Sequence, residues 1–381
     1  MKIAINSLAH AGGGGITYLK NMLPRFADDD DEYVVLVPAG RNALSKPSSG
    51  DIRFETVDIL GDLLPARLLY EQAILPVRLQ QWDIDILFSP ADLTPLATSV
   101  PTLLAVRNPN PYFSASEYGL QRPPSRRLKF LVQRHLTKLS AKRADHVFFV
   151  SDFSREISNR FFDLPDSKIS TVHHGIEHDL FEEPQEPADE TLKRTVDNRS
   201  PYLLTVSTLM EHKNYEVLLR GYARLDPALR RQYPLVIAGR APSPEYKEHL
   251  EGILTEEGLE NNVVFLGGVD YENIPYLYTQ ASVYVLPSKL ETFGHTLVEA
   301  MASGVPVIAA DSTCIPEITD GAATLFDPDD PATLAERVTE TLEDDGKRQE
   351  LVAAGERRSE NFSWDATFEE TKALLGRVAR E

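Results

Sequence analysis

The stretch Glu291-Thr292-Phe293-Gly294-His295-Thr296-Leu297-Val298-Glu299 places two glutamates on either side of what reads as a helix start near Thr296. Backbone amides around Phe293 to Thr296 would be free at that helix N-terminus, where they and the helix dipole can bind phosphate oxygens. Glu299, inside the helix, could accept hydrogen bonds from the vicinal hydroxyls of a ribose. Glu291, in the loop before it, could do the same for the hydroxyls of another sugar. Taken singly, an acid near a helix start is also what the dipole favours without any ligand. After the helix, Ala300-Met301-Ala302-Ser303-Gly304-Val305-Pro306 provides a glycine for the C-terminal turn and a proline opening a new strand.

Two further segments invite the same chemistry. Ser207-Thr208-Leu209-Met210-Glu211-His212-Lys213-Asn214 follows an apolar run, with Asn214 suited to cap the next helix. Lys213 would bring an ammonium to the strand end, able to neutralise a leaving diphosphate, though a lone lysine is commonly a solvated surface group. Near the N-terminus, Gly12 to Gly15 lies between a strand and a helix. Glycines let a backbone approach a ligand closely, and a tight connection explains them equally well.

The elements that would position these segments alternate strand with helix. Apolar strands are expected at Lys2–Ser7, Tyr33–Val37, Ile84–Ser89, Thr102–Val106 and His146–Val150. After a charged, proline-containing stretch, Glu182 to Arg199, they recur at Tyr202–Val206, Leu235–Ala238, Val263–Leu266, Val283–Leu286 and Val305–Ala309. A last helix spans about Trp364 to Ala379. Such runs predict α/β architecture: two Rossmann-like, doubly wound domains of parallel strands, facing each other across an interdomain cleft, with ligands at the strand carboxyl ends. The expected boundaries are 1–180 for the first domain, 181–200 for a linker, 201–362 for the second domain and 363–381 for a terminal helix.

With these segments in hand, the chain resembles glycosyltransferase family 4. Glu291-x7-Glu299 with Phe293-Gly294 between and Glu-Ala-Met-Ala-Ser-Gly-Val-Pro-Val after it carries the similarity. So do Gly12–Gly15, His146–Ser154, Val172–Ile176, Val206–Asn214 and Pro316-Glu317 with Gly321. The resemblance implies the GT-B fold, with an acceptor-binding first domain, a nucleotide-sugar-binding second domain and the C-terminal helix packing back on the first. It also implies a retaining, metal-independent transfer from a nucleotide-diphosphate sugar, with no cofactor. It implies that Glu291 meets the donor sugar and Glu299 the ribose, with Phe293, Gly294, His295 and Thr296 contributing backbone contacts. Lys213 would neutralise the diphosphate, with Gly14 and Gly15 meeting it from the other domain. Two departures stand out. Thr208 and His212 occupy the places where many members carry an arginine. Asn108 and Asn110, in Arg107-Asn108-Pro109-Asn110, stand where many have His-Asp; either could hydrogen-bond donor sugar or acceptor, and neither suits a general base.

Two metal-like patterns are better explained otherwise. Asp83-x-Asp85 precedes a strand and reads as a turn. His173-His174 are adjacent on extended chain and point to opposite faces. No metal is expected.

Eight Lys or Arg and no acid lie between Arg122 and Arg143, although the whole chain has a formal charge of −19. Leu128, Leu131, Val132, His135, Leu136 and Leu139 recur there at helical spacing. That face could pack on the N-terminal sheet, leaving the charges to water, or the helix could lie on anionic headgroups or a lipid-diphosphate acceptor. The overall acidity argues against nucleic acid as a partner. Acid excess, with 26 Arg against 13 Lys, fits a salty cytoplasm, and high-GC codon usage favours arginine too. One cysteine, Cys314, excludes an intramolecular disulfide. No run is long and apolar enough to span a bilayer, and the N-terminus lacks a signal-peptide pattern, so a cytoplasmic enzyme is expected, peripheral on the membrane's inner face where the basic helix binds lipid. Two alternatives carry different tests: a nucleotide-sugar epimerase would need no acceptor, and a binding subunit would not turn over.

Overall fold

The computed structural model describes residues 1–9, 14–39, 52–58, 64–108, 110–113, 124–182, 186–187 and 189–380. The chain divides into two compact units, passing from the first to the second between Gly175 and Ile176 and returning at Trp364.

The first unit is built on strands β1 (Lys2–Asn6), β2 (Glu32–Pro38), β3 (Ile52–Val57), β4 (Ile86–Ser89), β5 (Thr102–Val106), β6 (His146–Phe149) and β7 (Ile169–Thr171). Its helices are α1 (Gly14–Ala27), α2 (Leu64–Leu69), α3 (Leu75–Gln81), α4 (Pro124–Arg143) and α5 (Asp152–Phe162), with a π-helical turn, Tyr70–Ile74, joining α2 to α3. The strands form one parallel sheet in the order β3-β2-β1-β4-β5-β6-β7. Ile3, Ile5, Phe88, Leu103 and Phe148 line one face, covered by Tyr18, Leu19, Met22 and Phe26 of α1.

The second unit contains, in chain order, α6 (His178–Glu182), α7 (Glu190–Asp197), β8 (Tyr202–Val206), α8 (Tyr215–Ala223), α9 (Pro227–Gln232), β9 (Leu235–Ala238), α10 (Pro244–Glu257) and β10 (Val263–Gly267). There follow α11 (Ile274–Thr279), β11 (Ala281–Leu286), α12 (His295–Ala302), β12 (Val307–Ala310), α13 (Ile315–Thr319), β13 (Thr324–Phe326), α14 (Pro331–Glu343) and α15 (Asp345–Ser359). Its sheet is parallel, in the order β10-β9-β8-β11-β12-β13. Every residue of β8, β9 and β12 is buried, which only strands covered on both faces require.

The terminal helix α16 (Trp364–Val378) belongs to the first unit, where Trp364, Leu375 and Val378 join the core under α1. Lys372 pairs there with Asp29 and Asp31. The stretch expected to be a linker is partly helical. Asp189 accepts hydrogen bonds from the amides of Thr191 and Leu192 and so starts α7. Val196 is buried, and Tyr276 of α11 donates to Asp197 at 2.6 Å. A good cap and one apolar position suffice to order eight mainly polar residues as part of the second unit.

Each sheet reverses its strand order once, between β1 and β4 and between β8 and β11. Loops leaving the strands on either side of such a point diverge and open a crevice at the carboxyl edge. The Lys213 segment leaves β8 and the Glu291 segment leaves β11, so the fold brings together two segments that lie far apart in sequence.

Candidate functional site

The loops leaving β8, β11 and β12 are tied by hydrogen bonds. The His212 carbonyl accepts from the Lys289 amide at 2.9 Å and from Ser288 Oγ at 3.3 Å. Ser312 Oγ donates to the Lys289 carbonyl at 2.8 Å, and the Glu291 amide donates to Thr313 Oγ1 at 3.1 Å. Asn214 does not cap α8. It takes a left-handed conformation, φ 60°, and its side-chain amide donates to the carbonyls of Pro287 at 3.0 Å and Pro328 at 2.8 Å. A buried amide with two donors can tie three loops together, a use that sequence alone does not separate from capping.

This clamp fixes Lys213 against Glu291. Lys213 Nζ donates to Glu291 Oε1 at 2.6 Å, with only 18% and 11% of the two side chains exposed. A half-buried cation held by a carboxylate stays in place without a ligand, and a charged hydrogen bond of this kind is short and strong. Thr208, at the end of β8, is exposed, and His212 lies half-buried just before Lys213.

Downstream of Glu291 the chain turns at Gly294, whose φ of 84° suits glycine, and enters α12. The Phe293 ring is buried, edge-on to His295 and Phe362 at 5.0 and 5.4 Å, so this residue anchors the turn by packing and offers only backbone outward. The α12 start leaves amides of His295 and Thr296 at the same edge.

Glu299, in the second turn of α12, is 4% exposed. Tyr271 Oη donates to its Oε1 at 3.2 Å, and Tyr278 Oη lies 3.3 Å from both its Oε2 and the Thr296 carbonyl. Burial pushes the Glu299 carboxyl up to about 7, against the two tyrosine hydroxyls, which favour the ionised form. These tyrosines are the site residues that sequence reading missed. Tyr278 sits in an apolar helix that reads as ordinary core and Tyr271 in a polar turn before it, and only the fold shows their hydroxyls meeting an acid.

In the first unit, Gly14 and Gly15 open α1, while Gly12 and Gly13 lie outside the described residues. Asn108 and Asn110 come together: Asn108 Oδ1 accepts from the Asn110 amide at 3.2 Å and from its Nδ2 at 2.8 Å. Beside them is a charged group that the sequence did not advertise. Asp92, in a left-handed conformation after β4, accepts the amides of Arg107 at 2.8 Å and Asn108 at 3.3 Å. The Arg107 guanidinium lies 4.6 Å over the Tyr18 ring. Burial raises the Asp92 carboxyl and lowers the Arg107 guanidinium.

The metal-like patterns have structural uses. Asp85 accepts the Lys2 amide at 2.7 Å, and Asp83 sits in a left-handed turn. The His174 ring lies against Tyr18 and Trp364 at 5.4 and 5.6 Å. Among the described residues, no cluster of three or more His, Cys, Asp or Glu is placed to hold a metal ion, and no helix is long and apolar enough to cross a membrane.

Comparison with known proteins agrees with this geometry. The profile "Glycosyltransferase Family 4" matches residues 12–180, and "Glycosyl transferases group 1" matches 189–358. O-antigen chain mannosyltransferase B of Escherichia coli is 30% identical over 256 residues, 66% of this chain and 64% of that protein. This chain thus spans somewhat less than two thirds of that relative's length. Among solved structures, sucrose-phosphate synthase from Thermosynechococcus elongatus superposes with a TM-score of 0.77 at 19% identity, covering 99% of each chain. HepE from Anabaena, solved with UDP and glucose, gives 0.75 at 19% identity over 99% of this chain and 100% of its own. Two Rossmann-like units of the GT-B fold, and family profiles that between them run from residue 12 to 358, place the chain in glycosyltransferase family 4.

Proposed function

We propose that this protein transfers a sugar, with retention of anomeric configuration and without a metal ion, from a nucleotide-diphosphate sugar to a glycan or lipid-linked acceptor during polysaccharide assembly. The observation that carries the reading is the Lys213–Glu291 pair, 2.6 Å apart at the switch point of the second sheet. In this reading Lys213 offsets the charge that grows on the diphosphate as its oxygen separates from the anomeric carbon. Glu291, already oriented by Lys213, accepts sugar hydroxyls, and Glu299 accepts those of the ribose. Amides at the start of α12, those of Gly294, His295 and Thr296, bind phosphate oxygens. Thr208 and His212 border the diphosphate in place of an arginine. Asn108 and Asn110 offer amides to sugar hydroxyls. In this scheme the acceptor hydroxyl attacks from the face the diphosphate leaves: its oxygen bonds the anomeric carbon as the bond to the diphosphate oxygen breaks, and its proton passes to that departing oxygen. The protein works in the cytoplasm, and the basic segment 122–143 brings it to an anionic membrane surface.

A thermal-shift screen with UDP, GDP, ADP and their sugars tests the donor, since a ligand that binds the folded state raises its melting temperature. The mannosyltransferase likeness puts GDP-mannose first in that screen. The stabilising sugar nucleotide, incubated with and without acceptor glycans, should release nucleotide faster with acceptor and equally fast in EDTA. Conversion to a different sugar nucleotide with no acceptor present would instead establish an epimerase. Loss of turnover in EDTA would rule out metal independence.

A further inference from the structure

Helix α4 is apolar on the wrong side for a helix that only covers a sheet. Thr137, Ser140 and Ala141 form its buried face. Leu128, Leu131, Val132 and Leu139 are 62, 46, 49 and 51% exposed. At 100° per residue these four fall opposite the buried three. Packing on the sheet therefore does not account for the leucines. Arg127, Lys129 and Lys142 are exposed on the same helix, whereas Arg134 and Lys138 are drawn onto the Phe161 ring at 4.2 and 4.5 Å.

A second exposed apolar row lies on neighbouring elements. Leu69, Ile74 and Val77, on the α2–π–α3 run, are 67, 44 and 52% exposed, with Arg78 exposed beside them. The loop 94–99 joins the two helical regions. Gln72 Nε2 donates to the Thr94 carbonyl at 3.2 Å and Gln72 Oε1 accepts the Leu96 amide at 2.9 Å. On the loop's other side the Thr94 amide donates to Ser140 Oγ at 3.2 Å, and Arg143 reaches the Thr98 carbonyl. Leu96, between them, is itself 39% exposed. Eight of the ten exposed large hydrophobic side chains among the described residues thus lie on these adjoining elements.

We infer that α4 and the α2–α3 run form a two-helix surface that inserts its leucines into the headgroup region of an anionic bilayer, with the arginines and lysines binding lipid phosphates. The inference rests on the membrane reading proposed above and deepens it, adding apolar insertion and a second helix. Exposed apolar rows bordered by cations, on a chain of net charge −19, complement an anionic lipid surface. An acidic protein partner would account for the cations, but less well for the apolar rows.

The test uses the whole 381-residue chain and vesicles of phosphatidylcholine alone or with about 30 mol% phosphatidylglycerol, whose anionic headgroups give the surface a negative potential. Wild type should float with the anionic vesicles only. Arg127→Gln, Lys129→Gln and Lys142→Gln together should cut partitioning about 100-fold at low salt. Leu131→Ser, Val132→Ser and Leu139→Ser together should remove the part of binding that survives high salt, as should Leu69→Ser with Val77→Ser. All variants change exposed positions, and nucleotide stabilisation in the thermal-shift screen should match wild type, so a failure here is distinguishable from failure of the donor reading. Absence of wild-type binding to both vesicle types would overturn the inference. So would apolar variants that bind vesicles like wild type, or that turn a dimer into a monomer while wild type ignores lipid.

Discussion

Lys213 and Glu291 form a pair whose members have unequal tasks in the proposed reaction. The cation faces a charge that increases as the glycosidic bond breaks, so its contact is stronger in the transition state than in the bound donor. Lys213→Ala should lower kcat about 100-fold, with nucleotide affinity falling less, and near-normal turnover would remove Lys213 from the chemistry. Glu299 poses a different question because burial raises its carboxyl to about 7. The folded protein holds a proton there that the unfolded chain loses near 4.5. Stability contributed by the neutral acid is therefore fully present below 4.5, declines as pH rises, and is lost above about 7. Nucleotide binding should run the other way, since in the proposed reading ribose hydroxyls donate to the carboxylate. Affinity is expected to fall as pH drops below about 7, approaching tenfold per pH unit. Calorimetry in buffers of different ionisation enthalpy should show proton release on binding near neutrality. Tyr271→Phe, by removing a bond that favours the ionised form, should move the midpoint upward, and Glu299→Gln should flatten the profile. A wild-type profile flat from pH 5 to 8 would remove the ribose role.

At the scale of elements, the ends of β8 and β9 in the second sheet lie at close quarters, and glycine shows how close. A Cβ added to Gly239, just past β9, would lie 1.8 Å from the Ser207 carbonyl oxygen at the end of β8. Nothing flexible can yield there, because the obstacle is backbone. Gly239→Ala should cost about 3 kcal/mol or more, lowering the melting temperature by about 10 °C on the scale of a domain this size. Gly252, inside α10, has nothing within 4 Å of an added Cβ, and Gly252→Ala should leave the protein unchanged or up to about 1 kcal/mol more stable. Equal melting temperatures for the two variants would mean the strand ends are looser than they stand here. The same element view explains what could be read in advance. β4, β5, β6, β8, β9 and β12 are buried throughout and announce themselves as short apolar runs. β3, β7 and β13 are not announced by the sequence because half-exposed residues interrupt their apolar pattern and the last two have only three members. Lys213, Glu291 and the α12 start were legible because motif and strand end coincide. The tyrosines on Glu299 and the Asp92–Arg107 group were not, because each depends on a tertiary meeting of residues unremarkable in their own segments.

For the whole molecule, charge distribution is the governing quantity. A formal −19 spread over 381 residues, with the exposed cations of α4 set apart from it, means that salt acts with opposite sign on two properties. Self-repulsion among surface carboxylates destabilises the compact state, and salt screens it within a Debye length of about 8 Å at physiological strength. Melting temperature should therefore rise by several degrees between 0.05 and 0.5 M KCl, about the interval over which that length shrinks most usefully. Over the same interval vesicle binding should weaken, because the attraction proposed there is between α4 and lipid phosphate rather than between like charges. Replacing KCl with sucrose of equal osmolality separates screening from preferential exclusion: only the salt should loosen the protein from vesicles. A melting temperature that stays flat or falls with KCl would show that the acid excess is already neutralised locally, by pairs such as Lys372 with Asp29 and Asp31, and that net charge does not set the stability of this fold.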